Sequence, residues 1–517
     1  MNEERRKKIM ALTAAVFSSH MVLQRDKRIA VFGTGTAGER VTVRIPELHT
    51  EEDCTVKSDG TWKIYLPAMK GGLSLTMTVE GSGTYQEFND VVTGEVWLAG
   101  GQSNMEFFLV NSKDGAEELK NSGSVNVRCY NVYRNTFKDE NYESAERSNS
   151  WKRASEENSA EWSAVAYHAA KALSEKLGVT VGIIGCNLGG TSASCWMPRA
   201  DIEEYASLRP YLDDYDNAVK GKTPEEMIRE YDEYTEYHAA WEKRMQKCYQ
   251  EIPDVKWAQV LEICGENRYP GPLNIKSPFR PAGTYETMLQ RVMPYTIRGF
   301  WYYQGENDDI RPETYYTLLT AMIRRWRHDF EDDTMPFILH QLPAFCYEDA
   351  VDAKNWCRIR EAQMDVYRTV KNTGINVILD CGEFANIHPI DKKPVGERLA
   401  VQSEALVYGG CEKDAFGLMY RDFSVNGNEL TLYFDHTENG MELRGNGAGF
   451  EIAEDNGNYI PAKAEICGNT VKLTADGVNK PARARYAWKN YPEFSLFSKN
   501  GIPAAPFRTF REEDYNL

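Results

Sequence analysis

Ser103 stands behind two glycines, at the end of the apolar run VWLAGG and between Gln102 and Asn104. Small residues leading into one hydroxyl at the end of a strand-like run suit a nucleophile presented at a sheet rim. A serine hydroxyl attacks a carbonyl only when a base takes its proton. Histidine, with an unperturbed pKa of about 6.5, does so near neutral pH. His388, in FANIHPIDKK, likewise follows an apolar run, INVILDCGE. Attack places negative charge on the carbonyl oxygen, and each donor aimed at it contributes on the order of 3 kcal/mol. Gly190, in LGGTSASCW, offers an unobstructed backbone N–H, and Asn307, in QGENDD, a side-chain amide. These are the parts of a serine hydrolase.

They act together only if the elements before them are neighbours. Ligands of an open parallel sheet bind beyond the carboxyl ends of its strands. EVWLAGG, apolar on both faces as a buried parallel strand is, and VTVGIIG, IRGFWYYQG and INVILDCG read as such strands, with VNVRCYNV and MPFILHQL as two more. Between them, Glu161–Leu177 carries apolar residues at three- and four-residue spacing, and YYTLLTAMIRRWRHDF is a second helix. Strands alternating with helices predict a parallel α/β sheet. Before it, residues 10–95 alternate apolar and polar positions, with Asp59-Gly60 as a hairpin signal, and predict a small β-sandwich. After it, from residue 412, the β pattern returns in ELTLYF, GFEIAE and TVKLTA. The expected division is 1–95, 96–411 with a helical excursion near 200–255, and 412–517.

The chain has 517 residues and a formal net charge of −17, a surface that repels phosphate backbones and anionic membranes. The composition mildly favours neutral ligands. No apolar run approaches the ~20 residues of a membrane span. Eleven cysteines without CxxC spacing read as reduced thiols of a cytoplasmic protein. The N-terminal MNEERRKKIMALTAAVF mimics a signal peptide, but its acidic residues and weak apolar stretch keep the expected location cytoplasmic.

Six segments in order, MVLQRDKRIAVFG, GEVWLAGGQSNMEF, NLGGTSASCWM, WYYQGEND, HPIDKKPVGERLA and ARYAWKNYPEFSLFSKNGIPAAPFRTF, resemble the sialate O-acetylesterase-like carbohydrate esterases of the SGNH hydrolase superfamily. The resemblance implies a flavodoxin-like core and removal of acetyl groups from sugars, with no metal or organic cofactor. It makes Ser103 the nucleophile and His388 the base. The oxyanion donors are Gly190, the Ser103 N–H, and Asn307 or Gln304. The superfamily usually has an aspartate three residues before the histidine; this chain has Ala385 there, and Asn386 where close relatives carry an acid. Glu383 is the first choice for orienting His388, with Asp380 and Glu306 behind it; a Ser–His dyad is the alternative.

Trp196, Tyr285 and Trp301 are read either as a sugar platform or as core packing. Glu306 and Asp308 are read as polar support of the rim. The substrate is expected to be an acetylated xylan-, mannan- or xyloglucan-type oligosaccharide, or sialic acid. The missing acid beside His388 leaves a second reading, a carbohydrate-binding protein with a degenerate hydrolase core. Oligomeric state has no signal in the sequence.

Overall fold

The structure, a computed structural model, describes residues 12–511 except 253, 254, 349 and 456. The charged N-terminal stretch read against a signal peptide lies mostly outside them. Six parallel strands form the centre: β1 (Thr84–Gly101), β2 (Val127–Asn131), β3 (Val181–Asn187), β4 (Gly299–Tyr303), β5 (Phe337–Gln341) and β6 (Thr373–Val377). All but the outer half of β1 and the last residue of β2 are buried, as their continuous apolar runs require. The helices that cover them include α1 (Ser103–Glu106), α2 (Ala164–Leu177), α3 (Pro224–Glu251), α4 (Tyr315–Asp329), α5 (Asn355–Thr369) and α6 (Lys393–Val407). The helical excursion expected near 200–255 is occupied by helices Arg199–Glu203, Arg209–Val219 and α3.

Across the sheet the strands run β2-β3-β1-β4-β5-β6. A flavodoxin-like sheet has the order 2-1-3-4-5; here β3 is inserted between β2 and β1. Apolar periodicity marks a strand but carries no information on its neighbour, so this order was not legible beforehand. It puts β1 at the centre, with β3 and β4 on either side and β6 three strands away.

The N-terminal strands form two layers, as a sandwich does. Ile29–Thr34 pairs with Thr61–Leu66 in one sheet, while Arg40–Ile45, Thr50–Thr55 and Ser74–Gly81 join the outer half of β1 in the other. Asp59-Gly60 does reverse the chain, with Gly60 at φ +83°, but the strands it joins lie in different sheets and do not pair. Turn chemistry sets a reversal; it does not choose the sheet. β1 runs unbroken past the expected 95/96 division, so the N-terminal layer and the central sheet share one strand.

The C-terminal residues build two four-stranded antiparallel sheets over a separate apolar cluster that includes Leu430, Leu432, Ile452, Val471 and Leu473. Buried Arg360 on α5 ties them to the centre, donating to the carbonyls of Leu342, Pro343, Lys489 and Asn490.

Candidate active site

Ser103 begins α1 directly after β1. The turn is tight: Gly101 has φ +133°, and a Cβ there would sit 2.1 Å from the Tyr303 carbonyl oxygen. Only glycine lets β1 and β4 approach this closely while the chain bends to expose the next hydroxyl. Ser103 is half-buried.

His388 has further to come. It follows β6, so its loop must cross the ends of β5 and β4, about 14 Å at ~4.8 Å per strand. The loop is braced along its length. Ala385 N–H donates to the Cys346 carbonyl at 3.1 Å and Lys113 N–H to the Ile390 carbonyl at 3.0 Å. Asn386 Oδ1 accepts the His388 N–H at 3.1 Å. The imidazole ends with Nε2 2.8 Å from Ser103 Oγ. In the base form the hydroxyl donates to the ring nitrogen.

No carboxylate supports that ring among the described residues. Glu383 is not the orienting acid: its Oε1 accepts the Ile390 N–H at 3.0 Å and its Oε2 the Asn386 amide at 2.8 Å, so it shapes the loop. Asp380 is held bidentately by Arg398, both contacts at 2.7 Å. Glu306 is buried against Asn104. The arrangement is a hydroxyl and an imidazole in contact, with no third, acidic member among the described residues. Burial, then the neighbouring Lys392 ammonium, hold the imidazole below its ordinary pKa. A lowered pKa keeps the imidazole deprotonated into mild acid. The acid limb of kcat/KM is therefore expected to have its midpoint below pH ~6.5; a pH–rate profile with the limb above that value would contradict this environment for His388.

Around the hydroxyl the donors sort themselves by what already occupies them. The Gly189 N–H is spent on Glu106 Oε2 at 2.6 Å. The Gly190 and Ser103 N–H groups donate to nothing among the described residues. A Cβ built on Gly189 would lie 3.4 Å from that of Ser103, which sets this turn against the serine. Gly190 has φ +73°. Asn307 is exposed; its backbone N–H goes to Gln102 Oε1 at 3.2 Å, leaving its side-chain amide without a partner among the described residues.

Gln304 is not a donor to an oxyanion. Its Nε2 is occupied by Gln102 Oε1, the Thr191 carbonyl and Asp308 Oδ2, at 3.2, 3.2 and 2.7 Å. Asp308, fully buried, also accepts from Ser192 Oγ, the Ala193 N–H and Tyr211 Oη. These bonds lock the turn after β3 to the turn after β4. Asp308 is thus the polar support of the rim expected of it.

The aromatic platform lies elsewhere than anticipated. Trp196 and Trp301 are fully buried, Trp196 against Trp326 and Trp301 stacked on Trp97 with centroids 5.0 Å apart. Tyr285 is buried and donates to Asp329. All three pack the core. A cavity of about 340 Å³ beside Gly190 and Asn307 is lined instead by Tyr211, Tyr269, Phe279, Leu273 and Ile310. Tyr269 and Phe279 come from the Pro- and Gly-rich stretch RYPGPLNIKSPFRPAG, which carried no signal of a site.

One further group of side chains has ligand-like spacing among the described residues: donor atoms of Asp114, Glu118 and His168 lie within 4.8 Å of one another. Glu118 is paired with Lys171 at 2.7 Å and faces Lys393 at 3.7 Å. Two ammonium groups already balance two carboxylates, and the cluster braces α2 against α6.

Comparison with known proteins finds carbohydrate esterases. Residues 271–389 match the family described as carbohydrate esterase, sialic acid-specific acetylesterase, a region that takes in Asn307 and ends one residue past His388. Sialate O-acetylesterases of rat and mouse are 23% and 24% identical, each over 96% of this chain and 93% of their own length. The human enzyme is 23% identical over 96% of this chain and 92% of its own. A carbohydrate acetylesterase from Xanthomonas citri superposes with a TM-score of 0.76 at 26% identity, covering 97% of this chain and all of that one. By the matched region, by sequence along nearly its whole length and by fold, the chain is similar to sialate O-acetylesterases and carbohydrate acetylesterases.

Proposed function

We propose that the chain is a serine esterase of the SGNH type that removes O-acetyl groups from neutral oligosaccharides through an acetyl-serine intermediate. The observation that carries this is the 2.8 Å contact between Ser103 Oγ and His388 Nε2 beside the unspent N–H groups of Gly190 and Ser103. His388 takes the hydroxyl proton as Oγ bonds to the acetyl carbonyl carbon. The oxyanion accepts from the Ser103 and Gly190 N–H groups and the Asn307 amide. Collapse breaks the ester bond, and His388 returns its proton to the departing sugar hydroxyl. Water, deprotonated by the same imidazole, then releases acetate and restores Ser103. The chemistry needs no metal or organic cofactor.

The preference for a neutral sugar rests on charge. Among the described residues that line the cavity, the one cation, Arg311, is paired with Asp214 at 2.6 Å and stacked over Tyr211. A sialate carboxylate would have to compete with Asp214 for it. Tyr269 is 52% exposed and presents an aromatic face of the kind pyranose rings stack on. Acetate release is therefore expected to be faster from acetylated xylo- and manno-oligosaccharides than from O-acetyl sialic acid; activity confined to the sialate would overturn the substrate assignment. A degenerate sugar-binding protein is not favoured, because the nucleophile and base are in hydrogen-bond contact. The cytoplasmic location belongs to the same proposal: eleven free thiols suit a reducing compartment.

A further inference from the structure

With no carboxylate behind the imidazole, something else must hold it against Ser103. The two residues are joined from beneath by Asn104. Its Nδ2 donates to the Ile387 carbonyl at 2.9 Å, the peptide that leads into His388, and to Glu306 Oε1 at 2.6 Å. Its Oδ1 accepts from Lys392 Nζ at 2.5 Å. Asn104, Glu306 and Lys392 are 1%, 5% and 1% exposed, so none can exchange these partners for water. The amide lies between the Glu306 carboxyl group and Lys392 Nζ, which as an ammonium can only donate. Turned over, it would set donor against donor. Lys392 thus determines which way Asn104 faces, and with it whether the Ile387 carbonyl is captured.

Lys392 has no other anchor of this kind. No carboxylate lies within ion-pair distance of it among the described residues, and its ammonium sits over the rings of Phe107 and Tyr303, at 4.9 and 5.6 Å. An apolar residue of the same length would avoid the cost of burying a charge here. We propose that Lys392 is a positioning residue of the Ser103–His388 pair, acting through Asn104 to keep hydroxyl and imidazole in register. The inference rests on the reading of those two residues as nucleophile and base.

The charge of Lys392 supplies a readout that mere bracing would not. Its ammonium disfavours a second cation on His388, while burial pushes Lys392 itself down to about 7. The other titratable groups at this corner are Glu306 and Tyr303 at the end of β4, Cys381 and Glu383 in the histidine loop, and Glu106 on α1, which is held by Gly189 and Arg134. Lys113 and Asp391 pair at the surface. Apart from burial, Lys392 is the influence that acts on the imidazole.

The test is Lys392→Met in the full chain, with melting, kcat and KM on 4-nitrophenyl acetate and the pH profile measured together. The expected result is a fall in kcat of about tenfold to a hundredfold from lost register, with KM within about twofold. The acid limb should move up by about one pH unit, because the imidazole no longer faces a cation. Lys392→Arg keeps the charge and should restore the limb. Unchanged kcat and an unmoved limb in a folded Lys392→Met protein would overturn the proposal. If that variant does not melt cooperatively, Asn104→Ala decides: a loss of kcat at constant KM supports the positioning role, and full kcat removes it. Full activity of Ser103→Ala would instead sink the site reading, whatever Lys392 does.

Discussion

Ser103→Ala is expected to lower acetate release from 4-nitrophenyl acetate by about 10³-fold or more, with an unchanged melting temperature. His388→Ala should fall by a similar factor, and the double variant no further. The three agree because nucleophile and base act as one unit: without either, no acetyl-serine forms, and only the oxyanion donors and binding remain. A dyad begins from a lower rate than a carboxylate-supported triad, which is why the expected loss stops short of the largest seen for such residues. Stability is spared because Ser103 is half-buried and its hydroxyl bonds to the histidine rather than to the core; substitutions of this kind usually stay within ~0.5 kcal/mol. Labelling by a fluorophosphonate should vanish in Ser103→Ala and persist in variants that keep the pair. Strictly additive losses in the double variant would mean that the two residues do not share a step.

Gly190→Ala is expected to cost about a hundredfold in kcat and about 1–2 kcal/mol of stability. The backbone sits at φ +73°, where a side chain is strained whatever room surrounds it. Room is also short: a Cβ would lie 2.5 Å from Tyr269 Oη and 2.9 Å from the Phe279 ring. Tyr269 is partly exposed and can swing aside, but the strain must relax by moving the peptide, and the N–H then loses its aim. Gly189→Ala is the internal control. It does not carry a left-handed φ and its N–H already serves Glu106. Kinetics of the two variants side by side would separate an oxyanion donor from a turn glycine; equal, small losses would remove Gly190 from the oxyanion site.

The parts legible in advance were those set by short-range chemistry. Apolar runs marked the six parallel strands, five within a few residues at both ends and β1 at its inner end only, and glycines before Ser103 and at Gly190 marked turns where φ is positive. What failed did so for a common reason. Trp196, Trp301 and Tyr285 have the composition of a sugar platform, yet their rings fill gaps between helices and sheet, which no local pattern records. Gln304 has the amide of an oxyanion donor, but Gln102, Thr191 and Asp308, from three turns, have taken its hydrogens. Glu383 lies at a plausible distance along the chain from His388 and turns back to bind its own loop. Asn104 and Lys392 stood in plain view in GQSNM and HPIDKK without any local signal that one would hold the other.

The chain by itself determined which elements form and which residues are chemically able to serve as nucleophile, base and oxyanion donor, because periodicity, turn geometry and side-chain pKa are properties of a few adjacent residues. Tertiary structure alone decided that β3 lies beside β1, that the histidine loop crosses two strand ends to reach Ser103, and that no acid follows it there. Those outcomes depend on which buried donors find acceptors first, and hydrogen bonds between residues hundreds of positions apart leave no mark on the local sequence.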